Sequence, residues 1–218
     1  VFSGLVKGVG RIAARTDFGK DQRFVIEQGS AALGELALGA SIAVNGACLT
    51  AVAVAGDRFT VDVSAETLAV TTLGSLVVGS RVNLEPPLKA GDPLDGHIVT
   101  GHVDGVGEVV AVEPVGQSLC VGIEVPGRLA RYIAGKGSVT VDGVSLTVNA
   151  VRGARFEVNI IPHTQAVTVI GEYRLGRAVN IEVDLIARYL ERLMGGGEGG
   201  TGVNLELLKE HGYAPNDR

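Results

Sequence analysis

The chain has no tryptophan, one methionine, two cysteines and only 4% aromatic residues. Its cores must therefore be filled by Val, Leu, Ile and Ala, and the abundance of Val favours strands over helices. Two cysteines, Cys48 and Cys120, are too few for a disulfide framework; one bridge is open to the sequence, and reduced thiols are the default expectation. No apolar run approaches the length of a membrane span. The opening Val1-Phe2-Ser3-Gly4 lacks a charged stretch followed by an apolar one. These absences give the expectation of a cytoplasmic protein with no membrane partner. Basic residues do not cluster and net charge is −5, which argues against nucleic acid as a partner. There is no P-loop, no G-x-S-x-G and no C-x-x-C. His97 and His102 stand five apart without a zinc-binding context, so no metal is expected.

What is present is a duplication. Gly4 falls on Gly101 at an offset of 97, and the two halves align without a gap. Asn45-Gly46-Ala47-Cys48-Leu49-Thr50 lies on Asp142-Gly143-Val144-Ser145-Leu146-Thr147, and Val82-Asn83-Leu84-Glu85 on Val179-Asn180-Ile181-Glu182. About a third of the aligned pairs are identical, over a period far longer than a solenoid repeat. Two copies of one fold imply two copies of one pocket.

Each copy reads as short strands separated by turn signals. In the first, strands are expected at Phe2 to Val6, Arg23 to Gln28, Ser41 to Val44, Cys48 to Val54, Arg58 to Val63 and Arg81 to Glu85. Asn45-Gly46 and Asp142-Gly143 are hairpin turns. Six such strands predict a small closed antiparallel barrel, since closure removes sticky edges. Short helices are expected at Ala65 to Leu73 and at Leu129 to Ala134. Glycines 4, 8, 10, 101, 105 and 107 are better explained by turns and bulges than by phosphate loops. The proline-rich stretch from Pro86 to Pro93 is a stiff connector, dividing the chain into domains 1–90 and 91–184 with a helical tail at 185–218. Asp184 to Met194 carries Leu185, Ile186, Tyr189, Leu190 and Leu193 at helical spacing, with Asp184 placed to cap it. Gly195 to Gly200 reads as a flexible linker, and Val203 to His211 as a last short helix.

Cys48 and Thr50 share a strand face with Val52, as Ser145 and Thr147 do in the other copy; Thr67 matches Thr164. These residues are either strand formers or hydrogen-bonding groups for a flat polar ring and a polyol tail, and spacing alone leaves the structural role slightly ahead. The copies also differ: Cys48 lies on Ser145, Leu5 on His102, and Gly39 on Lys136. Either neutral drift or specialisation of two sites produces such differences.

Taken in order, these segments resemble the riboflavin synthase family of the trimeric alpha-chain type. The resemblance is carried by Phe2-Ser3-Gly4-Leu5-Val6, the Asn45 to Thr50 segment, Glu66-Thr67-Leu68, Gly96-His97-Ile98-Val99-Thr100-Gly101-His102-Val103-Asp104-Gly105, Lys136 to Thr147, Ile161-Pro162-His163-Thr164 and Val179 to Asp184. Ser3 stands where the family has Thr, and Val1 where it has Met. The resemblance implies two tandem six-stranded Greek-key barrels of the flavin-binding reductase kind plus a C-terminal helix, an all-β fold. It implies dismutation of two 6,7-dimethyl-8-ribityllumazine molecules by transfer of a four-carbon unit. The products are riboflavin and 5-amino-6-ribitylamino-2,4(1H,3H)-pyrimidinedione, with no metal or redox cofactor. It also implies a homotrimer joined through C-terminal helices, with sites between neighbouring subunits, and an association with lumazine synthase. A non-catalytic lumazine-carrying antenna protein of the same fold is the alternative.

For the site, the resemblance implies His102 as the base that takes a proton from the acidic C7 methyl group, with Ser145 or Thr147 assisting. It implies Cys48 and Ser41 as suppliers or positioners of a nucleophile at C7. Substrate contacts are implied at Phe2, Ser3, Gly4, Leu5, Val6, Cys48, Leu49, Thr50, Asp62, Val63, Ser64, Ala65, Glu66 and Thr67. In the second copy they are implied at Gly101, His102, Val103, Lys136, Ser145, Leu146, Thr147, Asn159, Ile160, Ile161, Pro162, His163, Thr164 and Asp184.

Overall fold

The computed structural model describes residues 1–31, 33–34 and 36–194. Twelve strands form two closed barrels among these residues. The first contains β1 (Gly8–Phe18), β2 (Asp21–Glu27), β3 (Ser41–Val44), β4 (Ala47–Ala55), β5 (Arg58–Val63) and β6 (Arg81–Glu85). The second contains β7 (Gly105–Val115), β8 (Ser118–Glu124), β9 (Ser138–Val141), β10 (Val144–Arg152), β11 (Arg155–Ile160) and β12 (Ala178–Val183). The first closes in the order β1-β2-β5-β4-β3-β6, and the second repeats that order six strands later, with every pairing antiparallel. Both barrels lie in one compact unit, Val1–Leu185.

Alternation builds each core. Phe24 and Ile26, Ile42 and Val44, Leu49 and Ala51, Phe59 and Val61, and Val82 and Leu84 point inward in the first barrel. In the second, Val121 and Ile123, Val139 and Val141, Phe156 and Val158, and Val179 and Ile181 do the same. With so few rings, each core is mostly β-branched packing around one or two aromatics, at about 25 cal/mol per Å² of apolar surface removed from water. Bulges keep the repeat's offset: register shifts fall at Ile12/Ala14 and Val109/Ala111, and at Ala51/Ala53 and Val148/Ala150. Each adds local twist, which helps so short a sheet to close.

Asn45-Gly46 and Asp142-Gly143 turn as expected, with φ of 45° and 80° in the first and 44° and 80° in the second. They meet tip to tip. A Cβ on Gly46 would lie 2.7 Å from Gly143 N, and one on Gly143 would lie 2.7 Å from Gly46 N. Around them, Asn83 Nδ2 donates to Asp142 O and Asn180 Nδ2 to Asn45 O, both at 2.8 Å. Val169 N donates to Asn83 Oδ1 and Thr72 N to Asn180 Oδ1. Each asparagine on a final strand therefore stitches its own barrel to the other.

The expectation of a first strand at Phe2 to Val6 is corrected. The strand begins at Gly8, and Phe2 makes only an isolated bridge with Val99, its own counterpart at the 97-residue offset. Gly4 has φ +78° and Gly101 has φ +78°, so the chain turns there instead of running on into β1 or β7. The short helices also differ from expectation. α1 (Ala65–Val70) is capped by Ser64 and ends early, followed by a 3₁₀ turn at Thr72–Ser75. Among the described residues, α2 (Gly127–Ala130) has no helical equivalent in the first copy; the true match to α1 is α3 (Pro162–Val167), which Pro162 opens with its preset φ. α4 (Leu185–Met194) forms where the apolar spacing placed it. The Gly195 to Gly200 linker and the helix expected at Val203 to His211 lie outside the described residues. Both cysteines are free thiols.

Candidate functional site

The segments ahead of β1 and β7 change places. Gly4 O accepts from Ser145 N in the second barrel, and Gly101 O accepts from Cys48 N in the first, each at 2.8 Å. Ser145 Cβ would lie 2.5 Å from a Cβ on Gly4, and Cys48 Cβ 2.5 Å from one on Gly101. Only glycine allows that approach. Two buried carboxylates anchor the segments. Glu85 accepts from Ser3 N, Ser3 Oγ and Gly4 N, and Glu182 from Thr100 N, Thr100 Oγ1 and Gly101 N. Burial pushes the Glu85 carboxyl up, and these donors hold it down in part.

Each cradle is consequently built from both copies. A cavity of about 410 Å³ is lined by Gly4, Leu5, Val6 and Lys7 from the first copy, and by Val144, Ser145, His163, Thr164, Val167 and Thr168 from the second. The positions equivalent to these at the 97-residue offset are Gly101, His102, Val103 and Asp104 with Ala47, Cys48, Glu66, Thr67, Val70 and Thr71. The structure thus brings Gly4, Leu5, Val6, Ser145, His163 and Thr164 together, and sets Gly101 against Cys48. His102 is exposed on the crossing segment beside that contact.

Other expected contacts occupy different settings. Cys48, Thr50, Ser145 and Thr147 lie on outer faces of their strands, while Leu49 between them points into its core. Leu146 is half-buried. Ser41 is half-buried opposite Thr50 in the β3–β4 ladder. Phe2 is fully enclosed with Ala43 and Val99, and Cys48 packs on that cluster. Ser3 is 3% exposed, and its hydroxyl is taken by Glu85. Asp62 is ion-paired with Arg23, a charged hydrogen bond that lowers the Asp62 carboxyl. Val63 and Ile160 are buried, leaving only backbone for a ligand. Ser64 caps α1 by accepting from Thr67 N, and Ala65 N donates to Asp21 Oδ1. Glu66 is exposed. Asn159 pairs with Cys120 in the β11–β8 ladder, Ile161 is exposed, and Pro162 starts α3. Lys136 is exposed and takes a left-handed φ of 68° where the first copy has Gly39. Asp184, half-buried, follows β12 directly.

Beyond the expected contacts, the cavity is also lined by Lys7, Val144, Val167 and Thr168, and His97 links Ser145 to Thr140. His97 Nδ1 lies 2.7 Å from Ser145 Oγ, and its Nε2 lies 3.2 Å from Thr140 Oγ1. Its backbone N–H donates to Ser3 O. Burial depresses the His97 imidazole, against the opposing charges of Asp184 and Glu182. The available signal is His97 inside the run Gly96 to Gly105, which carries the family resemblance but has no zinc-binding spacing.

Comparison with known proteins gives this geometry its setting. The lumazine binding domain family matches residues 3–86 and 100–184, one match for each barrel. The chain belongs to the riboflavin synthase family of lumazine-binding proteins. It is 41% identical to the riboflavin synthase of Photobacterium phosphoreum, over 98% of this chain and 99% of that one. It is 46% identical to that of Mycobacterium bovis over 89% and 98% respectively. Among solved structures, the complex of LumP with 6,7-dimethyl-8-(1'-D-ribityl) lumazine superposes with a TM-score of 0.76 at 27% identity, covering 84% of this chain and 99% of that one. The LumP complex with riboflavin superposes with a TM-score of 0.78 at 28% identity and the same coverage.

Proposed function

We propose that this family member converts two molecules of 6,7-dimethyl-8-ribityllumazine into riboflavin and 5-amino-6-ribitylamino-2,4(1H,3H)-pyrimidinedione. The observation that carries the reading is near full-length identity of 41–46% to riboflavin synthases, joined to two barrels of the same strand order in one chain. The atoms of two lumazines equal those of the two products, so the chemistry needs neither oxidant nor reductant. One substrate supplies a four-carbon unit and the other accepts it. His102 takes the C7 methyl proton, with Ser145 or Thr147 assisting, and Cys48 and Ser41 supply or position the nucleophile at C7 of the other substrate. Lys136 and Asp184 steer ring carbonyls or the ribityl chain. Backbone groups of Gly4, Val6, Gly101, Val103, Ile160 and Ile161 meet the ring edges.

Assembly belongs to the same proposal. The apolar stripe of α4 joins three copies, so that a first-copy cradle of one subunit faces a second-copy cradle of its neighbour in the cytoplasm. Lumazine synthase is a further partner. No described helix is long and apolar enough to cross a membrane. The antenna alternative rests on the LumP superpositions, at 27–28% identity, and it has less support than the enzymes. Mixing the chain with the lumazine decides between them. Growth of riboflavin absorbance, two lumazines consumed for each riboflavin, is expected; a bound but unchanged chromophore favours the antenna. His102→Gln should lower turnover roughly 100-fold, and full turnover in both His102→Gln and Cys48→Ser would remove these residue roles.

A further inference from the structure

His97 precedes the segments that the repeat aligns, three residues ahead of Thr100. It nonetheless sits between two hydroxyls of the second cradle, 2.7 Å from Ser145 Oγ and 3.2 Å from Thr140 Oγ1. Thr140 is 1% exposed. A hydroxyl so enclosed needs an acceptor for its hydrogen, and His97 Nε2 is the side-chain partner facing it. The imidazole nitrogen that accepts carries no hydrogen, so in the neutral ring the hydrogen sits on Nδ1. Nδ1–H then donates to Ser145 Oγ. A serine hydroxyl that accepts from one side has its own hydrogen left for another partner, and Ser145 lines the cavity.

We propose that His97 is a positioning residue that fixes the Ser145 hydroxyl as a hydrogen-bond donor into the second-copy cradle, toward an acceptor atom of the bound heterocycle. The inference rests on the lumazine reading for the identity of that heterocycle. The relay runs one way, from Thr140 through the ring to Ser145 and out to the ligand. Burial lowers the His97 imidazole and so favours the neutral ring, against the charges of Asp184 and Glu182, which raise it. Among the described residues, the first cradle has no such relay. Cys48 replaces Ser145, Ala43 replaces Thr140, and the enclosed Phe2 and Val99 complete an apolar cluster around the thiol. A thiol is a weak donor, and nothing in that cluster orients it. His97 therefore makes the two cradles chemically unequal, as a reaction between two identical molecules requires.

The test compares two amides in the full-length chain. Asparagine places an N–H near the position of Nδ1 and keeps the bond to Ser145, whereas glutamine reaches the position of Nε2 and keeps only Thr140. His97→Gln is expected to lower kcat roughly 100-fold while KM for the lumazine, riboflavin binding and Tm stay near native. His97→Asn should recover to within about tenfold of the native kcat. Equal losses in both variants, or native turnover in His97→Gln, overturn the proposal. Nitrogen NMR of the labelled, ligand-free chain gives a readout independent of turnover. The neutral Nδ1–H tautomer, with ring signals that move in Ser145→Ala, is expected; the Nε2–H tautomer, or signals indifferent to Ser145→Ala, overturns it. A native chain that makes no riboflavin would defeat the proposed function, and the tautomer measurement would still decide the relay.

Discussion

The two barrels share strand order, bulge positions, turn geometry and the glutamate that anchors each crossing segment, yet they part company at a handful of polar positions. Asn45 in the first is Asp142 in the second, and Leu76 is Tyr173. Both Asn45 and Asp142 accept from the backbone N–H of the final-strand asparagine, Asn83 or Asn180. Only Asp142 also accepts from a tyrosine hydroxyl, at 2.7 Å. What the pair teaches is that backbone geometry is held fixed where the barrels touch, while charge is free to differ if a local donor answers it.

The harshest way to break the equivalence is at the touching turns. Gly46→Ala and Gly143→Ala each place a methyl within 2.7 Å of the opposing backbone at a left-handed φ. Each should cost several kcal/mol, on the order of the largest single-residue effects, and by similar amounts. Chemical denaturation of the two variants checks this, and a large inequality would mean that the seam is less symmetric than its geometry.

Next comes the buried carboxylate. Burial pushes Asp142 up to about 6 from 3.8, against the Asn180 N–H, the Tyr173 hydroxyl and the charge of Arg177. The folded state therefore binds the proton more tightly than the unfolded state. Above pH 6 the ionised group costs stability, on the order of 3 kcal/mol, and the cost is relieved as pH falls from about 6 to 4. Asp142→Asn copies the first barrel: its amide oxygen can accept from Asn180 N–H and its NH₂ can donate to Tyr173. It should raise stability at pH 7 and flatten this group's share of the pH dependence between pH 4 and 6. Urea unfolding of both proteins across that range measures it, and parallel profiles would refute it.

The smallest effect sharpens the comparison at Lys136. Its φ of 68° is one that the first copy gives to Gly39. Lys136→Gly relieves left-handed strain but loosens the unfolded chain, so the net gain should stay below about 1 kcal/mol. If Lys136 steers the substrate, lumazine affinity falls in the same variant, and titration reads the two effects separately.

The barrels were legible because a gapless repeat doubles every signal: alternation at Arg58 to Val63 is repeated at Arg155 to Ile160, and both form strands. β1 was missed because Gly8 and Gly10 read as turn material, whereas they lie in the strand, where Gly10 leaves room for Leu84 and Glu27 O. The exchange of the leading segments was invisible, since the pairing of Phe2 with Val99 and of Gly4 with Ser145 depends on three-dimensional proximity and not on period. The outward direction of Cys48 and Ser145 followed from alternation with Leu49 and Leu146, but His97 lies ahead of the aligned segments that doubled every other signal.

Because each copy's leading stretch docks on its sibling, a barrel separated from its twin would keep a loose strap and show an unfilled backbone slot at Cys48 or Ser145. Fusion into one polypeptide supplies the missing clasp at high local concentration. It also lets the residues framing either slot change one at a time, with no mirror-image change imposed on the other.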